Sequence, residues 1–168
     1  MRTVEVTRTY LEMTSPDQLR GVEPAPEGVR VERAAFCPES FFRYLYAEVG
    51  KAYYWRDRLN WSDEAIRSYL EGPVELWVMY WNGAPAGYFE LRRHDDGSVE
   101  IAYFGLLPHA IGRGLGKYLL TRAVQQAWAL RPARVWLHTC TLDHPGALAN
   151  YLKRGFREVR KETYITTI

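Results

Sequence analysis

The sequence predicts an α/β (α+β) domain built on a mixed, mostly antiparallel sheet of six to seven strands with helices on both faces. Three observations carry this. Asn82–Gly83 and Asp96–Gly97 each separate two stretches of strand character, the signature of tight antiparallel hairpins. From residue 99 onward, apolar strands alternate with helical periodicities, β-α-β-α-β, so the sheet is mixed. The composition, 47% hydrophobic and 25% charged over 168 residues, suits one domain with a true core.

The elements follow in chain order. Thr3–Met13 has strand character, and residues 16–28 form a loop marked by Pro and Gly. Residues 29–35 form another strand. Residues 38–54 read as a helix, with Pro38 suited to the first turn and Phe41, Leu45 and Val49 spaced by four. Ser62 followed by Asp63 and Glu64 is a good cap for a second, short helix. Strands at 74–81 and 85–92 flank Asn82–Gly83, and 99–107 is an apolar strand beyond Asp96–Gly97. Residues 112–130 form a helix with Leu115, Leu119, Ala123 and Ala127 on one stripe. A strand at 134–139, a helix at 145–154 stopped by Gly155, and one or two closing strands at 156–168 complete the chain. No internal repeat or low-complexity segment interrupts it.

The N-terminus lacks an apolar signal region, and no run approaches the ~18 apolar residues of a membrane span. Cys37 and Cys140 are far apart and carry no CxxC or Cys/His metal spacing, so reduced cysteines, a cytoplasmic location and no metal are expected. Cys140, close to His138, is a candidate nucleophile on sequence proximity alone. The net charge of +2 hides an asymmetry: residues 1–100 are net acidic, whereas 101–142 hold Arg113, Lys117, Arg122, Arg131 and Arg134 and no acid. Such a local basic stretch fits one anionic ligand. Nucleic acid would call for a broader basic footprint.

Within that stretch, residues 111–120 read IGRGLGKYLL. Gly112, Gly114 and Gly116 precede an amphipathic helix whose first turns carry Arg113 and Lys117, although helix starts favour anions. A strand, a glycine turn and a helix N-terminus make a backbone N–H cradle for phosphate oxygens, and the cations become sensible once a pyrophosphate supplies negative charge. An ATP/GTP phosphate loop fits poorly: Ile111 and Tyr118 stand where that pattern needs Gly and Ser/Thr. A dinucleotide fingerprint fails because no acid appears before Asp143.

EIAYFGLLPHAIGRGLGKYLL resembles the acetyl-CoA motif of the GCN5-related N-acetyltransferase (GNAT) superfamily, a strand, then [QR]xxGxG[AG], then a helix. HPGALANYLKRGF resembles its second signature, NxxAxxxYxxxGF. The likeness covers about residues 86–160 well and the N-terminal third in outline. It implies acetyl-CoA as cosubstrate, with the amides around Gly112, Arg113, Gly114, Gly116 and Lys117 on its pyrophosphate. The backbone of Phe104, Gly105 and Leu106 would lie along the pantetheine arm. Two positions depart from the pattern: Ile111 replaces the [QR] residue, and His144 stands where the second signature has an Asn that contacts CoA. Asp143 or His144 is the expected N-cap of the last helix.

Acyl transfer to an amine needs a base for the ammonium and an acid for the departing thiolate. Tyr151 matches the family tyrosine whose phenol lies near the CoA sulfur, and is the candidate acid; its other role is packing beside Ala147, Leu148 and Leu152. Glu100 is the polar exception in VEIAYFGLL and sits where the histone-acetyltransferase branch places its glutamate. It is either the base or, if Asp96–Gly97 closes a two-residue hairpin, the cross-strand ion-pair partner of Arg93. Glu90 and His138 are reserve candidates. YYWRDRLNW at 53–61 is either a wall for a cationic amine or the edge of an aromatic core.

The expected protein is thus a single domain over 1–168: an acceptor-side half at 1–85, an acetyl-CoA-binding core at 86–160 and a closing strand at 161–168. It is expected to acetylate a primary amine, small-molecule or peptide, cationic acceptors included, as a monomer or homodimer and without nucleic acid or membrane. The alternatives are a non-catalytic CoA-binding or sensor module of the same fold, and a nucleotide-phosphate binder, which lacks its metal-binding hydroxyl.

Overall fold

In the computed structural model, which describes residues 1–168, the chain runs β1 (Thr3–Met13), β2 (Val29–Arg33), α1 (Glu39–Gly50), α2 (Asp63–Leu70), β3 (Val74–Trp81) and β4 (Ala84–Arg93). It continues as β5 (Val99–Leu106), α3 (Leu115–Ala129), β6 (Val135–Cys140), α4 (Ala147–Lys153) and β7 (Arg157–Thr167). All seven strands join one sheet in the order β2-β3-β4-β5-β6-β1-β7. Only β5 and β6 are parallel, because the α3 crossover returns the chain in the same direction. No helix is long and apolar enough to cross a membrane.

Each boundary has a local cause. Asn82 (φ 51°) and Gly83 (φ 87°) both take left-handed backbone, the geometry of a two-residue hairpin, and they join β3 to β4 as expected. Ser62 accepts the Ala65 N–H at 3.0 Å and starts α2. Helix α1 ends at Gly50 rather than running on to residue 54. Trp55 folds back so closely that a Cβ on Gly50 would lie 2.3 Å from its own Cβ. Helix α3 begins at Leu115 rather than 112, since Gly112 and Gly114 are left-handed (φ 79° and 75°) and cannot be helical. The N-cap of α4 is Gly146; His144 Nδ1 accepts the Gly146 N–H at 2.9 Å, and Asp143 instead binds back to Thr139 and Cys140. The closing segment is one strand.

The two sheet faces carry separate cores. One is formed by α3 and α4, with Leu115, Leu119, Leu120, Ala123 and Val124 packed on Leu11, Met13, Phe89, Leu91, Ile101, Val135 and Leu137. The other is formed by α1 and α2, with Phe42, Leu45, Val49 and Ile66 on Leu76, Val78 and Tyr88. Each fully buried leucine contributes roughly 1.5–3 kcal/mol. Strand β1 alternates accordingly: Thr9, Leu11 and Met13 are buried, while Arg8, Tyr10 and Glu12 lie on the opposite face. On that second face, α1 and α2 cover only the β3–β5 half. The β6-β1-β7 half carries Trp136, His138 and Tyr10 with no helix over them.

Candidate active site

Strands β5 and β6 pair only at Val99↔Val135 and Glu100↔Trp136 and then part. A cleft of about 1100 Å³ opens where they separate, lined from both sheet halves. Phe104, Gly105 and Leu106 pair with β4 on one edge, and their other edge, toward β6, carries no strand. All three line the cleft. A β-bulge sets which side chains point where. Leu91 pairs with Ile101 and Glu90 with Tyr103, so Ala102 is the extra residue. Ile101, Phe104 and Leu106 consequently face the α3/α4 core, whereas Glu100, Tyr103 and Gly105 face the α1/α2 side.

At one end of the cleft lies the glycine turn. Gly112, Gly114, Gly116 and Lys117 line it. The α3 N-terminus has no side-chain cap and no acid in its first turn, so its N–H groups are free for an anion. The Arg113 side chain turns away, donating to the His109 carbonyl at 3.4 Å and lying 5.1 Å from the Trp81 ring centre, which leaves only its backbone for the cradle. Asn150 donates to the Gly116 carbonyl at 3.3 Å, tying α4 to α3. Uncapped amides, left-handed glycines and Lys117 at a cleft fit a CoA pyrophosphate.

His144 lines the cleft with its ring edge-on to Tyr53 at 6.0 Å. Tyr151 is buried, edge-on to Phe104 at 6.1 Å and Phe156 at 6.2 Å, and also lines the cleft. Burial, reinforced by Asp143, pushes its phenol well up, so it stays protonated at neutral pH and gives that proton up less readily than an exposed tyrosine. The Cys140 thiol is likewise pushed up by burial and Asp143, which makes it a poor nucleophile.

Glu100 is 8% exposed and lines the cleft. Its expected pairing with Arg93 does not occur. The bulge and a wider turn closed by His94 and Ser98 place Arg92 opposite Glu100 and Arg93 opposite Val99. Glu100 instead accepts from His94 Nε2 at 2.9 Å on Oε1, while Oε2 lies 4.0 Å from His138 Nε2. Burial and the Arg8 guanidinium hold the His138 imidazole below its ordinary pKa, against Glu100, Asp143 and Glu162, so it is neutral at pH 7. His94 packs on Trp136 at 5.3 Å, and Trp136 donates to Ser98 at 3.0 Å.

Glu90, the reserve candidate, is a structural acid. It is fully buried, and both its oxygens bind Arg58 Nη1 (2.8 and 3.0 Å) while Oε1 accepts from Tyr69 at 2.5 Å. The aromatic wall is filled in the same way: the Arg58 guanidinium lies 3.9 Å from the Tyr103 ring centre, 4.4 Å from Tyr69 and 4.9 Å from Trp61. Burial opposes its charge, and Glu90 with the two phenols more than restores it. The chain's own cation thus occupies the place expected for a cationic amine. His94 and the Arg58–Glu90 pair escaped sequence reading; a His two residues before Asp96–Gly97 is the one trace of the former.

Residues 36–156, well over half of the chain, match the model of the acetyltransferase (GNAT) family. No curated protein sequence matches the chain significantly. Among solved structures, a GCN5-related N-acetyltransferase from Kribbella flavida is similar with 22% identity, TM-score 0.68, over 97% of this chain and 58% of that one. A GCN5-related N-acetyltransferase from Sphaerobacter thermophilus has 21% identity and TM-score 0.68, covering 98% and 51%. An IAA acetyltransferase from Bacillus cereus has 24% identity and TM-score 0.56, covering 77% of each chain. The chain thus spans little more than half the length of the first two.

Proposed function

Because this chain belongs to the acetyltransferase (GNAT) family, we propose that it transfers an acetyl group from acetyl-CoA to a primary amine, with Glu100 as base and Tyr151 as acid. The observation that carries this reading is one cleft that holds an uncapped glycine cradle, an unpaired strand edge and a half-satisfied carboxylate together.

The backbone around Gly112, Gly114, Gly116 and Lys117 would hold the pyrophosphate, and the free edge of Phe104–Leu106 the pantetheine amides. His144 adds a polar group in the same cleft. Bound there, acetyl-CoA supplies an acetyl group activated as a thioester. Glu100 Oε2, the oxygen that His94 leaves free, accepts a proton from the acceptor ammonium. His138, neutral and 4.0 Å away, can share that proton. Tyr151 keeps a proton on its phenol oxygen for the thiolate product, a moderate benefit because a thiol of pKa about 8.5 already leaves readily.

The test is a panel of amines, including amino acids, polyamines, aminoglycosides and peptide N-termini, assayed for CoA release. Turnover with at least one amine is expected. CoA binding without turnover across the panel would overturn the enzymatic reading in favour of a CoA-binding module.

A further inference from the structure

Glu100 and Arg92 face each other across β4 and β5, and both line the cleft. Directly opposed side chains in an antiparallel pair lie within easy reach, and an acid and a base placed so normally form an ion pair. Here they do not. His94 takes Oε1 of Glu100, the other oxygen faces His138, and no acid of the chain lies within ion-pair distance of the Arg92 guanidinium. The result is a free guanidinium beside a proton-accepting carboxylate.

The rest of this wall has the same bias. Arg56 also lines the cleft, lies over Tyr54 at 5.4 Å and has no ion-pair partner. Arg8 is held by Glu162 at 3.0 Å, yet its Nε is buried without a hydrogen bond. Against these stand Glu100, Asp57 beside Tyr46 and Tyr103, and Asp143, whose carboxylate is bound by Thr139 and the Cys140 N–H. The aromatic faces that would attract a cation hold Arg58. A second positive charge on the acceptor therefore meets Asp57 alone, whereas a negative one meets the unpaired Arg92 and Arg56.

Resting on the acetyltransferase reading above, we propose that the acceptor is an amino carboxylate, an amino acid or amino-acid-like zwitterion. Its ammonium meets Glu100 and its carboxylate is clamped by Arg92. A guanidinium fork matches a carboxylate bidentately, and an amino acid carries its two opposite charges on neighbouring groups, as the two strands carry Glu100 and Arg92 on opposed residues. His94 has a part in this selection, since by holding Glu100 it keeps that carboxylate from neutralising Arg92.

The experiment compares the common amino acids with their carboxamides as acceptors, reading CoA release. An amide's amine is less basic and more often unprotonated, so chemistry alone favours the amide. The proposal expects kcat/KM for the acid to exceed that for the amide by at least about tenfold, as a charge-assisted clamp allows. In Arg92→Met that ratio falls to about one or below, in Arg92→Lys it is partly kept, and acetyl-CoA Kd stays within about twofold in both. Arg93→Met, outside the cleft, keeps the wild-type ratio. Amines turned over with no preference for the acid, or with a preference that survives Arg92→Met, overturn the acceptor class and leave the acetyltransferase reading intact. If nothing turns over, calorimetry of the same amino acids on CoA-loaded protein decides: binding lost in Arg92→Met supports the clamp, and no binding overturns it.

Discussion

Glu90 and Glu100 sit on neighbouring strands, point to the same face of the sheet and are both largely buried, yet their surroundings differ in kind. Glu90 lies under α1 and α2, where Arg58 and Tyr69 use its oxygens. Glu100 lies beyond those helices, where one oxygen is bound by His94 and the other looks into the cleft. Buried ionised groups are tolerated when paired, so full pairing marks an acid that holds the fold. An acid left half-satisfied at a cleft retains capacity for a substrate's proton. The number of free acceptor sites, more than burial, separates the two roles.

That contrast can be broken in order of expected size. Arg58→Met strands Glu90 without its cation and should cost about 3–5 kcal/mol of stability by urea unfolding; a loss below about 1 kcal/mol would show that the pair is idle and the distinction false. Tyr151→Phe keeps the packing against Phe104 and Phe156 and removes only the proton. We expect kcat to fall about 10- to 1000-fold with thermal stability and acetyl-CoA Kd little changed. Wild-type kcat, under conditions where chemistry limits turnover, would reduce Tyr151 to core.

A smaller effect is expected at the cradle. A Cβ on Gly116 meets nothing nearer than Leu106 at 3.6 Å, so Gly116→Val should fold while its side chain obstructs the ligand's approach. Acetyl-CoA Kd should rise at least about tenfold, about 1.4 kcal/mol, by calorimetry. An unchanged Kd in the folded variant would remove the glycine turn from the site. Smallest of all, Arg93→Ala should shift kcat/KM by less than about twofold, because Arg93 faces Val99 and stands outside the cleft. A tenfold loss would restore the ion pair with Glu100 and undo the register described above.

The parts of this site that were legible in the sequence are those with local signatures. The glycine turn, Glu100 in an apolar strand and Tyr151 four residues before Gly155 all show in short windows. Hairpin and cap residues such as Asn82–Gly83 and Ser62 fixed their elements for the same reason. What escaped depends on distant pairing. The place of β1 between β6 and β7 rests on partners such as Arg8↔Cys140, more than a hundred residues apart. The bulge at Ala102 left no mark because IAYF is apolar throughout, yet it moved the partner of Glu100 by one residue. Arg58 meets Glu90 only because the loop after α1 folds across β4.

The most direct measurement is Glu100→Gln, read for kcat/KM, acetyl-CoA affinity and stability on one preparation. Gln preserves the shape and can still accept from His94, so only the proton-accepting charge is lost. We expect kcat/KM to fall about 10²–10⁴-fold, with unfolding free energy and acetyl-CoA Kd essentially those of the wild type. Full activity in the variant, or a loss of activity explained by an equal loss of stability, would contradict this and place Glu100 alongside Glu90 as an acid of the fold.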